Sequence, residues 1–139
     1  MTALLGMVDA LATQISTVLC GTVNPVIPNL QVDSSIVGNP TPPVIDMYPA
    51  RPFTEATGFA KGEKDYLITV RARVNLADSK AGQRLLYTMM DTTATTSVEQ
   101  AILSNTSLSG GGKISSVEGA EFERFGDLVG AVWIVRLTP

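Results

Sequence analysis

The sequence predicts an α+β fold: a mainly antiparallel sheet of about four to five strands, packed against an N-terminal helix and a central helix pair. Three observations carry this prediction. Residues 3 to 19 repeat apolar side chains at a helical period, Tyr66 to Leu76 alternates at a strand period, and Val129 to Leu137 is apolar at almost every position.

In the first helix, Leu4, Leu5, Val8, Leu11, Ala12, Ile15, Val18 and Leu19 recur at steps of one, three and four, which places them on one stripe. Thr2 can cap its start and Gly21 can end it. The stripe needs a cover, and a sheet of the same chain is the expected one. Seven of the eight prolines fall between Val23 and Pro52, so no helix can run through that stretch. Short extended pieces are expected around Leu30 to Ile36 and Val44 to Tyr48, confined to sheet edges by the prolines. Residues 51 to 65, RPFTEATGFAKGEKD, are polar and aperiodic and read as a long loop or hairpin arm.

Tyr66 to Leu76 then sends Tyr66, Ile68, Val70, Ala72, Val74 and Leu76 to one face and Leu67, Thr69, Arg71, Arg73 and Asn75 to the other. Asp78 is placed to cap a helix reaching about Asp91, with Ala81, Leu85, Leu86, Met89 and Met90 on its apolar side. Ser97-Val98-Glu99-Gln100 opens a second, short helix with the pattern of a capping box. After Gly110-Gly111-Gly112, two strands close the chain, Lys113 to about Phe125 and Val129 to Leu137, turning at Gly126-Asp127. The last is apolar on both faces and belongs inside the sheet.

A chain of 139 residues suits one domain, 1–139, with 51–65 as an extended arm. Hydrophobic residues make up 45% and charged residues 17%, so there is little charge to solvate a large free surface. The net charge of −3 gives no overall field to attract nucleic acid. There is no histidine, and Cys20 is the single cysteine, which removes thiolate or imidazole zinc sites, His-activated nucleophiles and any intramolecular disulfide. Cys20, at the end of an apolar stretch, reads as a small buried hydrophobe. Met1 to Cys20 lacks a basic n-region and is interrupted by Asp9, Gln14 and Ser16. It is a poor signal peptide and too polar to span a bilayer, so it reads as the first helix of a cytosolic protein.

Several motifs fail. Gly110-Gly111-Gly112-Lys113 has Ser107 and Ile114 where a phosphate loop needs glycine and Ser or Thr, and it follows a helix instead of opening one. Asn105-Thr106-Ser107 matches a glycosylation acceptor with nothing to indicate secretion. Glu118, Glu121 and Glu123 do not form an acid/base pair, because a strand puts Glu121 and Glu123 together on a solvent-facing side. No catalytic set, metal site or cofactor is expected.

Two features stand out. The 51–65 arm carries Phe53 and Phe59 among charges that include Lys61 and Lys64. Exposed rings on such an arm suit ordering against a partner, the alternative being an ordinary hairpin tip. Arg71 and Arg73 lie two apart on the polar face of the central strand. In a ring of subunits they would form a basic band able to face DNA, the alternatives being a solvated face or an intersubunit salt bridge.

The second half, from YLITVRARVNLAD through AGQRLLYTMMD, TTSVEQAI, a glycine run and FERFGD to GAVWIVRLTP, resembles the tail terminator, or tail-completion, proteins of long-tailed bacteriophages. The similarity covers roughly residues 65 to 139, and its most telling pieces are Ser97 to Ile102 and Gly130 to Trp133. The family usually has a Leu-Gly-Gly turn, where this chain has the longer Leu108-Ser109-Gly110-Gly111-Gly112. The resemblance implies a structural virion protein and no enzyme: a homo-hexameric ring at the tail-neck junction, assembled in the bacterial cytoplasm. Such a ring would cap the tail tube, end its polymerisation and join the head connector, with the major tail tube protein and a head-closure protein as partners and DNA in the lumen. On that reading Phe53, Phe59, Lys61 and Lys64 are candidate axial assembly contacts, and Arg71 and Arg73 candidate lumen or intersubunit contacts. The alternatives are another neck ring, such as a head-closure or adaptor protein, a minor tail protein, or a monomeric ligand-binding domain.

Overall fold

Helix α1 (Leu4–Leu19) opens the chain, followed by β1 (Gln31–Val32), β2 (Val44–Ala56), β3 (Lys64–Asn75), α2 (Ser79–Met90), α3 (Val98–Leu103), β4 (Lys113–Phe125) and β5 (Leu128–Thr138). This computed structural model describes residues 4–20, 27, 29–38, 43–56, 64–75, 79–109, 111–126 and 128–139; for 51–56, 64, 79 and 125 it describes the backbone alone. Thr2, Gly21, Asp78 and the connection 57–63 lie outside the described residues. No helix among them is long and apolar enough to cross a membrane.

The fold is α+β, as the periodicities predict. Five strands form one sheet in the order β1-β2-β3-β5-β4, antiparallel except for the two-residue parallel pair β1–β2. The arm is a hairpin: 51–56 and 64–65 continue β2 and β3, with a register shift between Pro49 and Thr54. Strand β5, apolar on both sides, lies inside the sheet between β3 and β4.

One face of the sheet is covered by the helices. Met7, Leu11, Ile15 and Leu19 of α1 and Leu86, Met89, Ala101 and Ile102 of α2 and α3 pack with Met47, Val70, Ala72, Trp133 and Val135. Burying a side chain of this size contributes about 1.5–3 kcal/mol, so this layer is the main source of stability. Gln14 ties α1 to α3, its Nε2 donating to the carbonyls of Ala101 (3.2 Å) and Ile102 (2.6 Å) at the C-terminal end of α3. Ser97 caps α3 by accepting from the Gln100 N–H at 3.2 Å. The other half of the expected capping box is absent, because the Gln100 side chain turns away to the Thr92 carbonyl (2.6 Å).

Three expectations need correction. Leu5 is in phase with the buried stripe but 72% exposed, since nothing described covers the first turn on that side. Strand β1 stops after two residues, because Asp33 Oδ1 accepts from both the N–H and the hydroxyl of Ser35 and turns the chain away. In α2 the buried positions are Leu86 and Met89, while Ala81 is exposed. Gly82 is what lets that side of α2 approach β3.

Candidate functional site

The second face of the sheet is the one on which alternation puts polar side chains of β3. Cross-strand register assigns it Val44, Asp46 and Tyr48 from β2, and Leu67, Thr69, Arg71 and Arg73 from β3. Gly130, Val132, Ile134 and Arg136 come from β5, and Ser116, Glu118, Glu121 and Glu123 from β4. Much of it is buried: Asp46 is fully buried, and Leu67, Thr69 and Arg73 are each under a tenth exposed.

At its centre Asp46 gathers both arginines. Arg71 binds it in bidentate fashion, Nε to Oδ1 at 2.9 Å and Nη2 to Oδ2 at 2.6 Å. Arg73 Nη2 donates to Oδ2 at 2.9 Å and also to the Val37 carbonyl at 2.9 Å. The Val37 N–H gives Oδ2 a further bond of 3.1 Å. The carboxylate therefore accepts four hydrogen bonds from its own chain and pins the segment after β1 to the sheet. Register explains the meeting: Asp46 stands opposite Arg71, and Arg73 lies two pairs further along on the same face, opposite Val44.

The two guanidiniums are not equivalent. The hydrogen bond with Asp46 raises the pKa of Arg71, whereas burial lowers that of Arg73. Both remain charged, since an arginine titrates far above physiological pH. Arg73 Nε is buried with no hydrogen-bond partner. Arg71 also stacks on Tyr48, its Cζ lying 5.0 Å from the ring centroid, and burial pushes the Tyr48 phenol up. Glu123 is close enough for its charge to favour the charged form of Arg71.

A second strut lies toward the hairpin end of this face. Asp65 accepts from Arg136 Nη1 at 3.1 Å and from Thr138 Oγ1 at 2.8 Å, and Thr138 also pairs with Ser115. Strand β4 forms the margin. A register shift between Glu118 and Glu121 inserts one extra residue, so Glu118 joins Glu121 and Glu123 on the second face, all three exposed.

Grooves open on the surface among the described residues. One of about 690 Å³ runs between α1 and β1 past Asp9, Thr13, Ser16, Cys20 and Asp33. A second, of about 480 Å³, lies on the other flank of α1 beside Gln14, Ser104 and Asn105. A third, of about 400 Å³, is apolar and runs along the β2 edge between Leu4, Leu5 and Val8 of α1 and Ile36. Cys20 donates to the Leu30 carbonyl at 3.3 Å, and burial pushes its thiol pKa up.

Of the sequence-predicted site residues, Arg71 and Arg73 are brought together, on an acid of their own chain. Phe53 lies in β2 and Lys64 in β3, with side chains outside the described set; Phe59 and Lys61 lie outside the described residues altogether. Asp46 is the site residue that sequence reasoning missed. Its signal was present, as an acid in the apolar run Val44-Ile45-Asp46-Met47 requires a buried cation. No family model matches the chain, and no curated protein is detectably similar to it.

Proposed function

We propose that the chain is a structural subunit of a long-tailed phage virion: a ring-forming tail terminator that caps the tail tube, ends its polymerisation and joins it to the head connector. The observation that carries the structural reading is the enclosure of Asp46. The most deeply buried charged group described is fully buried and accepts four hydrogen bonds from Arg71, Arg73 and Val37 of the same chain, which makes it a strut shut off from any substrate in solution. The tail-terminator assignment rests on the order of segments in residues 65–139, now the consecutive elements β3, α2, α3, β4 and β5.

In this reading the work is done by surfaces. One ring face would match the last tube ring and the other the connector, with the 51–65 hairpin, including Phe53, Phe59, Lys61 and Lys64, making axial contacts. DNA would pass through the lumen without sequence-specific binding, and the site of action would be the tail-neck junction.

The deciding experiment is a capping assay with purified tail tubes. Added protein should stop elongation and remain at the tube end, and a chain lacking residues 53–63 should fold but fail to dock. Tubes that elongate unchanged in the presence of the full chain would end this reading.

A further inference from the structure

The two margins of the sheet are complementary to each other. At one margin β4 pairs only inward: beyond Ile114, where the 106–108 segment covers its start, nothing described bonds to its outer side. At the other margin β1 covers β2 only at Val44 and Ile45. The carbonyls of Pro43 and Ile45 accept from Gln31 and Asp33, so odd-numbered positions of β2 point outward there. Continuing that alternation, Met47 offers an N–H and a C=O and Pro49 a C=O, with no described partner strand beside them. Strand β4 runs antiparallel to β2, because each of the three intervening pairings reverses direction.

The side chains of the two margins match on both faces. On the helix-covered face, Phe122 of β4 stands opposite Ala131 yet is 54% exposed, since the helices do not reach that far. On the same face, the β2 margin has the apolar groove of about 400 Å³ lined by Leu4, Leu5, Val8, Ile36, Met47 and Ile68, with Leu5 72% and Ile36 63% exposed. On the second face, β4 presents the carboxylates of Glu118, Glu121 and Glu123. The β2 margin presents Tyr48 with the Arg71 guanidinium stacked on it.

We infer that β4 of one copy of this chain adds, antiparallel, to the outer edge of β2 of a second copy, seating Phe122 in the apolar groove and setting the acidic stripe beside Arg71. Charge selects this partner. Pairing β4 with β4 of another copy would set three carboxylates against three on one face, which is unfavourable. Pairing with β2 sets them against guanidinium. Main-chain bonds with a side chain entering a pocket are the usual means of strand addition. The contact joins two different surfaces, so each copy keeps one of each free and assembly continues until a ring closes. This inference rests on the ring reading above and names the surface that makes the ring.

The test uses Phe122→Asp, Leu5→Asp and the native mass by light scattering over a range of concentrations. The wild type should form closed oligomers and each variant alone should be monomeric. An equimolar mixture should give a one-to-one heterodimer, because the Leu5→Asp chain keeps an intact β4 and the Phe122→Asp chain an intact groove. If either aspartate variant loses its near-UV circular dichroism, the alanine variants replace it and are read in the same way. Rings that persist in both variants, or a mixture with no heterodimer, overturn the inference while leaving the ring reading in place. A wild type that stays monomeric at every concentration also overturns it, and the capping assay then decides the terminator reading alone.

Discussion

Gly82 of α2 lies directly against the carbonyl of Asn75 in β3, so closely that a Cβ on the glycine would stand 2.2 Å from that oxygen. The obstacle is backbone, which cannot swing aside as a side chain would. Gly82→Ala should gain about 1 kcal/mol of helix propensity. It should lose more than that by forcing α2 off the sheet, since overpacking costs about 1–3 kcal/mol. A lower thermal midpoint is expected. An unchanged or higher midpoint would mean that α2 sits further from β3 than described.

Removing the carboxylate at the centre of the second face should cost much more than removing either cation. Asp46→Ala leaves Arg71 and Arg73 facing each other without it, and breaking a buried pair in this way costs about 3–5 kcal/mol. Arg73→Met should be milder, because it leaves the bidentate Arg71–Asp46 pair in place and removes a guanidinium whose charge burial already disfavours. Urea denaturation of the two variants checks the ranking, and the reverse order would contradict it.

The cap of α3 gives a smaller, sharper expectation. Ser97 is fully buried and its hydroxyl serves the Gln100 N–H, so Ser97→Ala should destabilise by about 1 kcal/mol. Gln100→Ala should cost less, since that side chain bonds to Thr92 at the surface and does not complete a capping box. Thermal melts of the two variants separate these contributions.

Acid should weaken the fold through two turn-forming carboxylates. Hydrogen bonds from Ser35 hold Asp33 below the usual carboxylate range, and those from Thr93 do the same for Asp91. A depressed folded-state pKa means that the unfolded chain binds the proton first as pH falls. The contribution is thus complete above the unfolded value of about 3.8 and is lost as pH drops through the lower folded values. Carboxyl NMR titration should find both groups below that value, and ordinary titration at either would contradict the turn geometry.

The sequence was most legible where one period dominated. Strands β3 and β5 alternate or saturate with apolar residues strongly enough to fix their faces and, for β5, its interior place. The polar face of β3 was legible as a face, but alternation cannot say what its side chains meet. Asp46 gathers Arg71 and Arg73 there, and Arg73 also bonds to the Val37 carbonyl, an arrangement that depends on the register between β2 and β3. Leu5 misled, since a helical stripe gives phase and not coverage. The extra residue between Glu118 and Glu121 had no periodic signature beyond Gly119, and without it Glu118 would point to the other face.

The bond from Gln14 to Ala101 and Ile102 spans 87 and 88 residues of chain. During synthesis, therefore, α1 cannot be fastened until α3 has followed it out of the ribosome. Strand β3 waits in the same way for β5. The domain is thus expected to complete its folding only once β5 is available, with a rate governed by long-range closure more than by the speed of forming any single helix.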